Sequence, residues 1–228
     1  MKRTAFLALC LILAAMFAAL GVWQLERLQW KTALVGRVEA RLAAPPQAPP
    51  SWQDWSPDQT YTKVRVTGVF RHDRETLVQA VTELGPGWWV MTPLRSDAGL
   101  VLVNRGFVSA ERRTPSGGLW SRPAGSVSVV GLLRESEPHG AFLRANAPQT
   151  GHWYSRDVQA IAAAAALTEP VAPFFIDAEA APDPGLYPIG GLTVVRFRNS
   201  HLIYAITWFA LGALSLVAAA LICSDRRR

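Results

Sequence analysis

Cysteine is scarce in this chain: there are two among 228 residues, Cys10 and Cys223, and each lies in a long apolar run. The stretch between the runs, residues 24–200, has none. Without a thiol, this stretch cannot form a disulfide, a zinc site with thiolate ligands or a cysteine nucleophile. Several redox functions are therefore excluded for it.

Motifs of catalysis are also missing. The sequence has no GxSxG, no HExxH and no Walker loop, and His72, His139 and His152 are not at metal-ligand spacing from one another. Catalytic groups can still converge in space, so an outer-domain hydrolase remains a third alternative. The sequence gives it no positive support, and we expect a protein that is not an enzyme.

Excess charge of one sign is confined to the ends of the chain. Lys2, Arg3 and residues 226–228 are basic, whereas residues 24–200 hold 18 bases and 16 acids. This balance does not indicate a nucleic-acid partner. The basic tails favour a cytoplasmic location for both termini, with the main domain in the periplasm. Bases between Arg27 and Arg41 oppose this orientation, but a long domain can cross largely regardless of its charge.

Two uncharged runs dominate the hydropathy pattern: Ala5–Trp23, with 19 residues, and Leu202–Cys223, with 22. As helices they extend roughly 28–33 Å, which matches a bilayer core. We therefore predict transmembrane helices over residues 1–23 and 201–223, followed by a basic cytoplasmic tail over 224–228. A cleaved signal peptide is the alternative for the first run.

The sequence between these runs changes character twice. Helical spacing of apolar residues predicts an amphipathic helical extension over residues 24–43, and a proline-rich linker follows over 44–60. Residues 61–200 predict five strands, a helix over 155–167 with Asp157 or Ser155 as N-cap, and two further strands. The fold class is then an α+β membrane protein: two transmembrane helices flank an outer antiparallel β-sheet or partly open barrel with one helix.

A histidine stands at the start of the second run. On a helix, residues 201, 204, 205, 208, 212 and 215 share one face, which reads His201, Tyr204, Ala205, Trp208, Gly212 and Ser215. Small residues would let a flat ring approach the helix, and aromatic side chains would pack against that ring. Imidazole is also a common axial ligand of haem iron. Arg27 and Lys31, after the first run, could pair with propionates. The alternative is that these aromatic and basic side chains simply anchor the helices at the membrane–water interface.

Six stretches resemble one known family. They are "GVWQLERLQWK" (21–31), "VRVTGVF" (64–70), "LVNRGFV" (102–108), "HWYSRD" (152–157), "PFFID" (173–177) and "PIGGLTVVRFRNSHLIYAITWF" (188–209). They are similar to the Surfeit-locus-one family of cytochrome c oxidase assembly factors. The resemblance implies a multi-pass protein of the cell inner membrane that helps to build the catalytic subunit of an aa3-type haem–copper oxidase.

The resemblance also implies a cofactor and partners. We expect transient binding of haem A, with His201 as the metal ligand. Helix geometry, rather than the resemblance, makes Tyr204 and Trp208 the further binding residues that pack on the ring, and Arg27 is inferred as a propionate partner. The expected partners are haem A, the catalytic oxidase subunit and the lipid bilayer, with haem A synthase as a further candidate. The alternative function is a cofactor-free scaffold that stabilises the oxidase subunit during assembly.

Overall fold

The structure is a computed structural model. It describes residues 2–114, 117–118, 120–141, 144–181, 186–193 and 199–224. The chain forms two compact units, one built from the helices near its two ends and the other spanning Ala40–Val194.

The first unit contains two long helices, α1 (Lys2–Ala43) and α3 (His201–Ser224). α1 continues without a break beyond Trp23 and ends just before Pro45, because proline cannot donate to the helical ladder. Both helices are long and apolar enough to cross a membrane. Most of their large apolar side chains are exposed, as at Ile12 and Leu214. This exposure is typical of lipid-facing helices rather than the core helices of a soluble protein.

The second unit is built from strands and one short helix. The strands are β1 (Lys63–Phe70), β2 (Thr76–Thr82), β3 (Gly85–Ser96), β4 (Gly99–Ser109), β5 (Arg113–Thr114), β6 (Gly117–Gly118), β7 (Ser126–Glu135) and β8 (Val171–Ala178). The helix is α2 (Val158–Ala164). β5 and β6 pair only with each other, and the remaining six strands form one sheet.

Five of those strands close into a barrel. Their order is β1-β7-β8-β4-β3, and β3 returns to pair with β1 over three residues at its end. The earlier part of β3 pairs with β2, so this 12-residue strand pairs along the same edge first with β2 and then with β1. The β4–β8 pair is parallel and all the others in the sheet are antiparallel. The barrel-like sheet with one helix is therefore confirmed, but the sheet is mixed.

A glycine permits this closure. A Cβ placed on Gly68 of β1 would lie 2.2 Å from the backbone oxygen of Arg95 in β3, which has no flexible end to move aside. Inside the barrel, side chains from β1, β3, β4, β7 and β8 fill the space. They are chiefly Val64, Val66, Leu94, Val103, Leu133, Phe174 and Ile176.

The helix α2 covers the outer face of the same sheet. Its Val158 and Ile161 pack with Phe175 of β8, so β8 is buried on both faces, as is common for strands in parallel pairs. Asp157 caps α2 by accepting a hydrogen bond from Ala160 N (3.1 Å), which decides between the two predicted caps. The last predicted strand, "GGLTVVRFR", is not a strand over residues 190–193, and its residues 194–198 lie outside the described part.

Candidate functional site

Within the first unit, α1 and α3 pack against each other along one strip of each helix. The strip, which we call the seam, consists of Cys10, Ala14, Phe17, Gly21 and Gln24 on α1 and His201, Ala205, Trp208, Gly212, Ser215 and Ala219 on α3. Steps of three and four residues alternate along it, as in an antiparallel coiled coil. Small residues let the backbones approach: a Cβ on Gly212 would lie 3.6 Å from Ala14 O.

His201, the predicted metal ligand, lies at one end of the seam. Its ring Nδ1 lies 2.7 Å from Oε1 of Gln24 on α1, within hydrogen-bond distance. The imidazole is half-buried, and no described residue hydrogen-bonds its other nitrogen, Nε2. Gln24 is only 9% exposed, although its side chain is polar. Sequence reasoning assigned Gln24 no role.

The predicted aromatic partners of His201 lie in different surroundings. Trp208 is half-buried in the seam and stacks on Phe17 of α1, with ring centroids 5.7 Å apart and planes at 21°. Tyr204 lies outside the seam and is 55% exposed. Among the described residues, no hydrogen bond or ring contact joins either side chain to His201.

Arg27, the predicted propionate partner, lies one helical turn beyond Gln24. Its guanidinium carbon is 4.7 Å from the ring centroid of Trp30, in a cation–π arrangement on the exposed side of α1. No contact in the described part of the chain joins it to His201. Its assignment to a cofactor stays a prediction.

The structure corrects one expectation about α3. Sequence spacing predicts that the small residues Ala205 and Gly212 form an open surface for a flat ring. Both are buried against α1, and Ala205 is 1% exposed. The spacing correctly puts these residues on one face with His201, but the neighbouring helix covers that face below His201.

A separate cluster of charged side chains lies in the second unit, around Asp177 of β8. Its carboxylate, 4% exposed, accepts hydrogen bonds from Asn104 Nδ2 (2.7 Å), Arg134 Nη1 (2.9 Å), Arg156 Nη1 (3.1 Å) and Thr193 Oγ1 (2.9 Å). These donors come from β4, β7, the approach to α2 and the chain beyond β8. Because every carboxylate lone pair is used, the cluster holds the barrel together rather than presenting a reactive group.

Glu137 completes this cluster by pairing with Arg156. Burial by itself would raise the pKa of Glu137, but hydrogen bonds and charge from Arg156 outweigh it and hold the pKa below its ordinary value. For Arg156, burial lowers the pKa, but the charge of Asp177 and a hydrogen bond to Glu137 outweigh that effect and leave it raised. Both groups are therefore ionised and paired at neutral pH.

A second buried carboxylate, Glu75, organises the barrel's other polar contacts. It accepts hydrogen bonds from Thr92 Oγ1 (3.0 Å), Arg105 Nη1 (3.3 Å), Trp120 Nε1 (3.0 Å) and Arg122 Nη2 (3.3 Å). Burial lowers the pKa of Arg105, and the charge of Glu75 opposes this. Arg105 also lines a neighbouring cleft of about 490 Å³. Because Arg105 is hydrogen-bonded to Glu75, its side chain is held in one position along the wall of this cleft.

The described ranges contain no group of three or more His, Cys, Asp or Glu side chains that could hold a metal ion. Iron in a porphyrin brings most of its own ligands and needs only an axial side chain from the protein. His201 fits that requirement because one nitrogen is fixed by Gln24 and the other makes no described contact.

Comparison with known proteins gives a consistent result. Residues 11–213 match the SURF1 family. The chain is 34% identical to Surfeit locus protein 1 of Mus musculus over 220 residues, covering 89% of this chain and 71% of that protein. It is 36% identical to a SURF1-like protein of Monosiga brevicollis, covering 86% and 79%. It is 33% identical to Surfeit locus protein 1 of Homo sapiens, covering 85% and 69%. The chain therefore belongs to the SURF1 family.

Proposed function

We propose that this chain is a membrane-anchored assembly factor for haem–copper cytochrome c oxidase, not an enzyme, and that it holds haem A until the catalytic subunit receives it. The observation that carries the proposal is the half-buried imidazole of His201, at the end of a membrane-length helix, with Nε2 unengaged by described residues. Family membership supports the role in oxidase assembly.

The residues present suit a loosely held porphyrin. Haem A would supply the redox-active iron that the oxidase subunit needs. His201 offers one ligand, and the described part of the chain offers no cluster that would add others. A single axial imidazole favours release over permanent retention. Because α1 covers Ala205 and Gly212, contact with the ring would fall to exposed side chains such as Tyr204 and Arg27.

A spectrum of the purified full-length protein tests the ligand. The protein is isolated in detergent from cells that make haem A, as wild type, as His201→Ala and as His152→Ala. His152 is the matched control because it is an exposed histidine of the barrel unit, with Nδ1 at 2.8 Å from Thr150 Oγ1. We expect His201→Ala alone to lose haem. Full occupancy with unchanged bands in His201→Ala would remove this histidine from the mechanism.

A cofactor-free scaffold is the second candidate, and the covered seam favours it because α1 already fills the face below His201. The two functions differ in one measurement. The tagged protein is used to capture the catalytic oxidase subunit from cells with and without haem A synthesis. Capture that depends on haem A supports the cofactor-carrying role, whereas undiminished capture without it supports the scaffold.

We further propose that the chain crosses the cell inner membrane twice, with both termini cytoplasmic and residues 40–194 in the periplasm. Both native cysteines lie in the spanning helices, so a cysteine introduced at exposed Ala124 reports on the barrel unit. A membrane-impermeant maleimide should label Ala124→Cys in intact spheroplasts. Labelling only after lysis would reverse the orientation.

A further inference from the structure

A buried glutamine lies in an otherwise apolar part of the seam. On α1, the seam residues before it are Cys10, Ala14, Phe17 and Gly21, and Gln24 follows at the same spacing. A polar amide buried between two membrane-length helices is costly unless it is hydrogen-bonded. Its described partner is the ring of His201 on the opposite helix, at 2.7 Å.

The chemistry of that contact decides where the histidine carries its proton. Gln24 presents Oε1 to the ring, and a carbonyl oxygen can only accept a hydrogen bond. Nδ1 of His201 must therefore carry the hydrogen. A neutral imidazole has a single ring hydrogen, so Nε2 keeps its lone pair. If the amide group were reversed, its NH2 would donate to Nδ1, and the hydrogen would sit on Nε2.

We propose that Gln24 is a positioning residue: it fixes His201 as the Nδ1–H tautomer and so reserves Nε2 as the ligand atom. The inference rests on the proposed function where it concerns iron, but the tautomer itself is a property of the protein alone. Hydrogen bonds from the far nitrogen of a metal-binding histidine fix the ring's orientation and raise its basicity as a ligand. Gln24 does this from another helix, so correct ligand geometry requires α1 and α3 to be paired.

The tautomer is measured first, on the full chain without cofactor. The protein is labelled with 15N-histidine in detergent micelles, and long-range 1H–15N spectra identify the protonated nitrogen of each ring. Comparison with His201→Ala assigns the His201 signals. We expect Nδ1–H in the wild type, loss of that preference in Gln24→Leu, and its retention in Gln24→Glu, which keeps an acceptor at the same position. A wild-type ring with its hydrogen on Nε2 overturns the inference.

The control for the seam is Ser215→Ala. Ser215 lies on the same strip of α3, and its hydroxyl donates within its own helix to Leu211 O at 2.9 Å. This change removes a polar group from the seam without touching His201 or Gln24. We expect it to leave the tautomer unchanged. A tautomer shift in Ser215→Ala equal to that in Gln24→Leu would mean that general seam packing, not the Gln24 acceptor, sets the proton's position.

Binding is measured second, by titrating each variant with ferric haem A in micelles. Loss of a partner of this kind typically costs about 10- to 100-fold in metal affinity. We expect a loss of that size in Gln24→Leu, recovery in Gln24→Glu with a lower haem reduction potential, and no change in Ser215→Ala. Equal affinity in Gln24→Leu and Ser215→Ala would overturn the positioning role.

The two proposals fail separately. If His201→Ala binds haem A as well as the wild type does, the ligand assignment under the proposed function is wrong. The nitrogen spectra would still report whether Gln24 sets the tautomer of His201. If instead His201→Ala loses haem but Gln24→Leu does not, the ligand assignment stands and the role of Gln24 is refuted.

Discussion

Asp177 is the residue whose neutralisation we expect to weaken the barrel most clearly. Its buried carboxylate accepts hydrogen bonds from Asn104, Arg134, Arg156 and Thr193, which belong to four different parts of the fold. In Asp177→Asn the shape is nearly kept, but the charge is lost and an NH2 group now faces donors. Two arginines then lose a carboxylate partner in a poorly solvated site.

The magnitude follows from weighing two estimates. Two hydrogen bonds from arginines at about 1.5–3 kcal/mol each and two neutral ones at about 1 kcal/mol sum to about 5–8 kcal/mol. That sum is too large, because Glu137 still pairs with Arg156 and both arginines have some solvent access. Removing one partner of a buried ion pair typically costs about 3–5 kcal/mol, and we expect Asp177→Asn to fall in that range. This is a large share of the roughly 5–15 kcal/mol that stabilises a domain.

The assay is pulse proteolysis of the full-length protein in detergent across a urea series, which reports the unfolded fraction of the barrel unit. The control is Asp73→Asn, because Asp73 is 58% exposed and its described ion pairs are with Arg71 and Arg74 at the surface. An exposed pair is worth at most about 1 kcal/mol. If Asp177→Asn shifts the free energy of unfolding no more than Asp73→Asn does, the Asp177 cluster does not hold the barrel together.

Three further predictions concern the same unit and use the same assay. The pKa of Glu137 is lower in the folded state, so its contribution to the free energy of unfolding is complete above about pH 4.3 and is lost as the pH falls through the folded pKa. Glu137→Gln should flatten this acid dependence of stability, and an unchanged pH profile would contradict the pairing with Arg156. Gly68→Ala should lower the free energy of unfolding by about 1–3 kcal/mol, because its Cβ would meet the Arg95 oxygen. An unchanged free energy would mean that β1 and β3 can move apart at this point without cost. Asp157→Ala should cost about 1 kcal/mol through the lost α2 cap, whereas Asp157→Asn should cost less.

Local pattern predicted the elements of this fold well. Alternation in "YTKVRVTGVF" predicts a strand with Val64, Val66 and Phe70 inward. In β1, Val64 and Val66 are buried in the barrel core, and Phe70 is half-buried against it. The two charge-free runs predict the long helices, and proline after residue 44 predicts where α1 ends. These predictions succeed because periodicity, proline and capping act within a few residues of each other along the chain.

The candidate site was predicted only in part. Spacing correctly grouped His201, Ala205, Trp208 and Gly212 on one face, yet α1 covers that face below His201. The signal for this was present in α1, where small or apolar residues recur every three or four positions and Gln24 continues the series. A single polar residue at such a position usually has a partner across the interface.

The sequence by itself determined the two membrane-length helices, most of the strands and the family. Tertiary structure alone decided that β4 and β8 pair in parallel, that β3 closes the barrel onto β1, and that Asp177 gathers two arginines. It also decided that Gln24 faces His201 from 177 residues away. The reason is physical: periodicity records which side of an element is buried, but what covers that side depends on how distant segments pack.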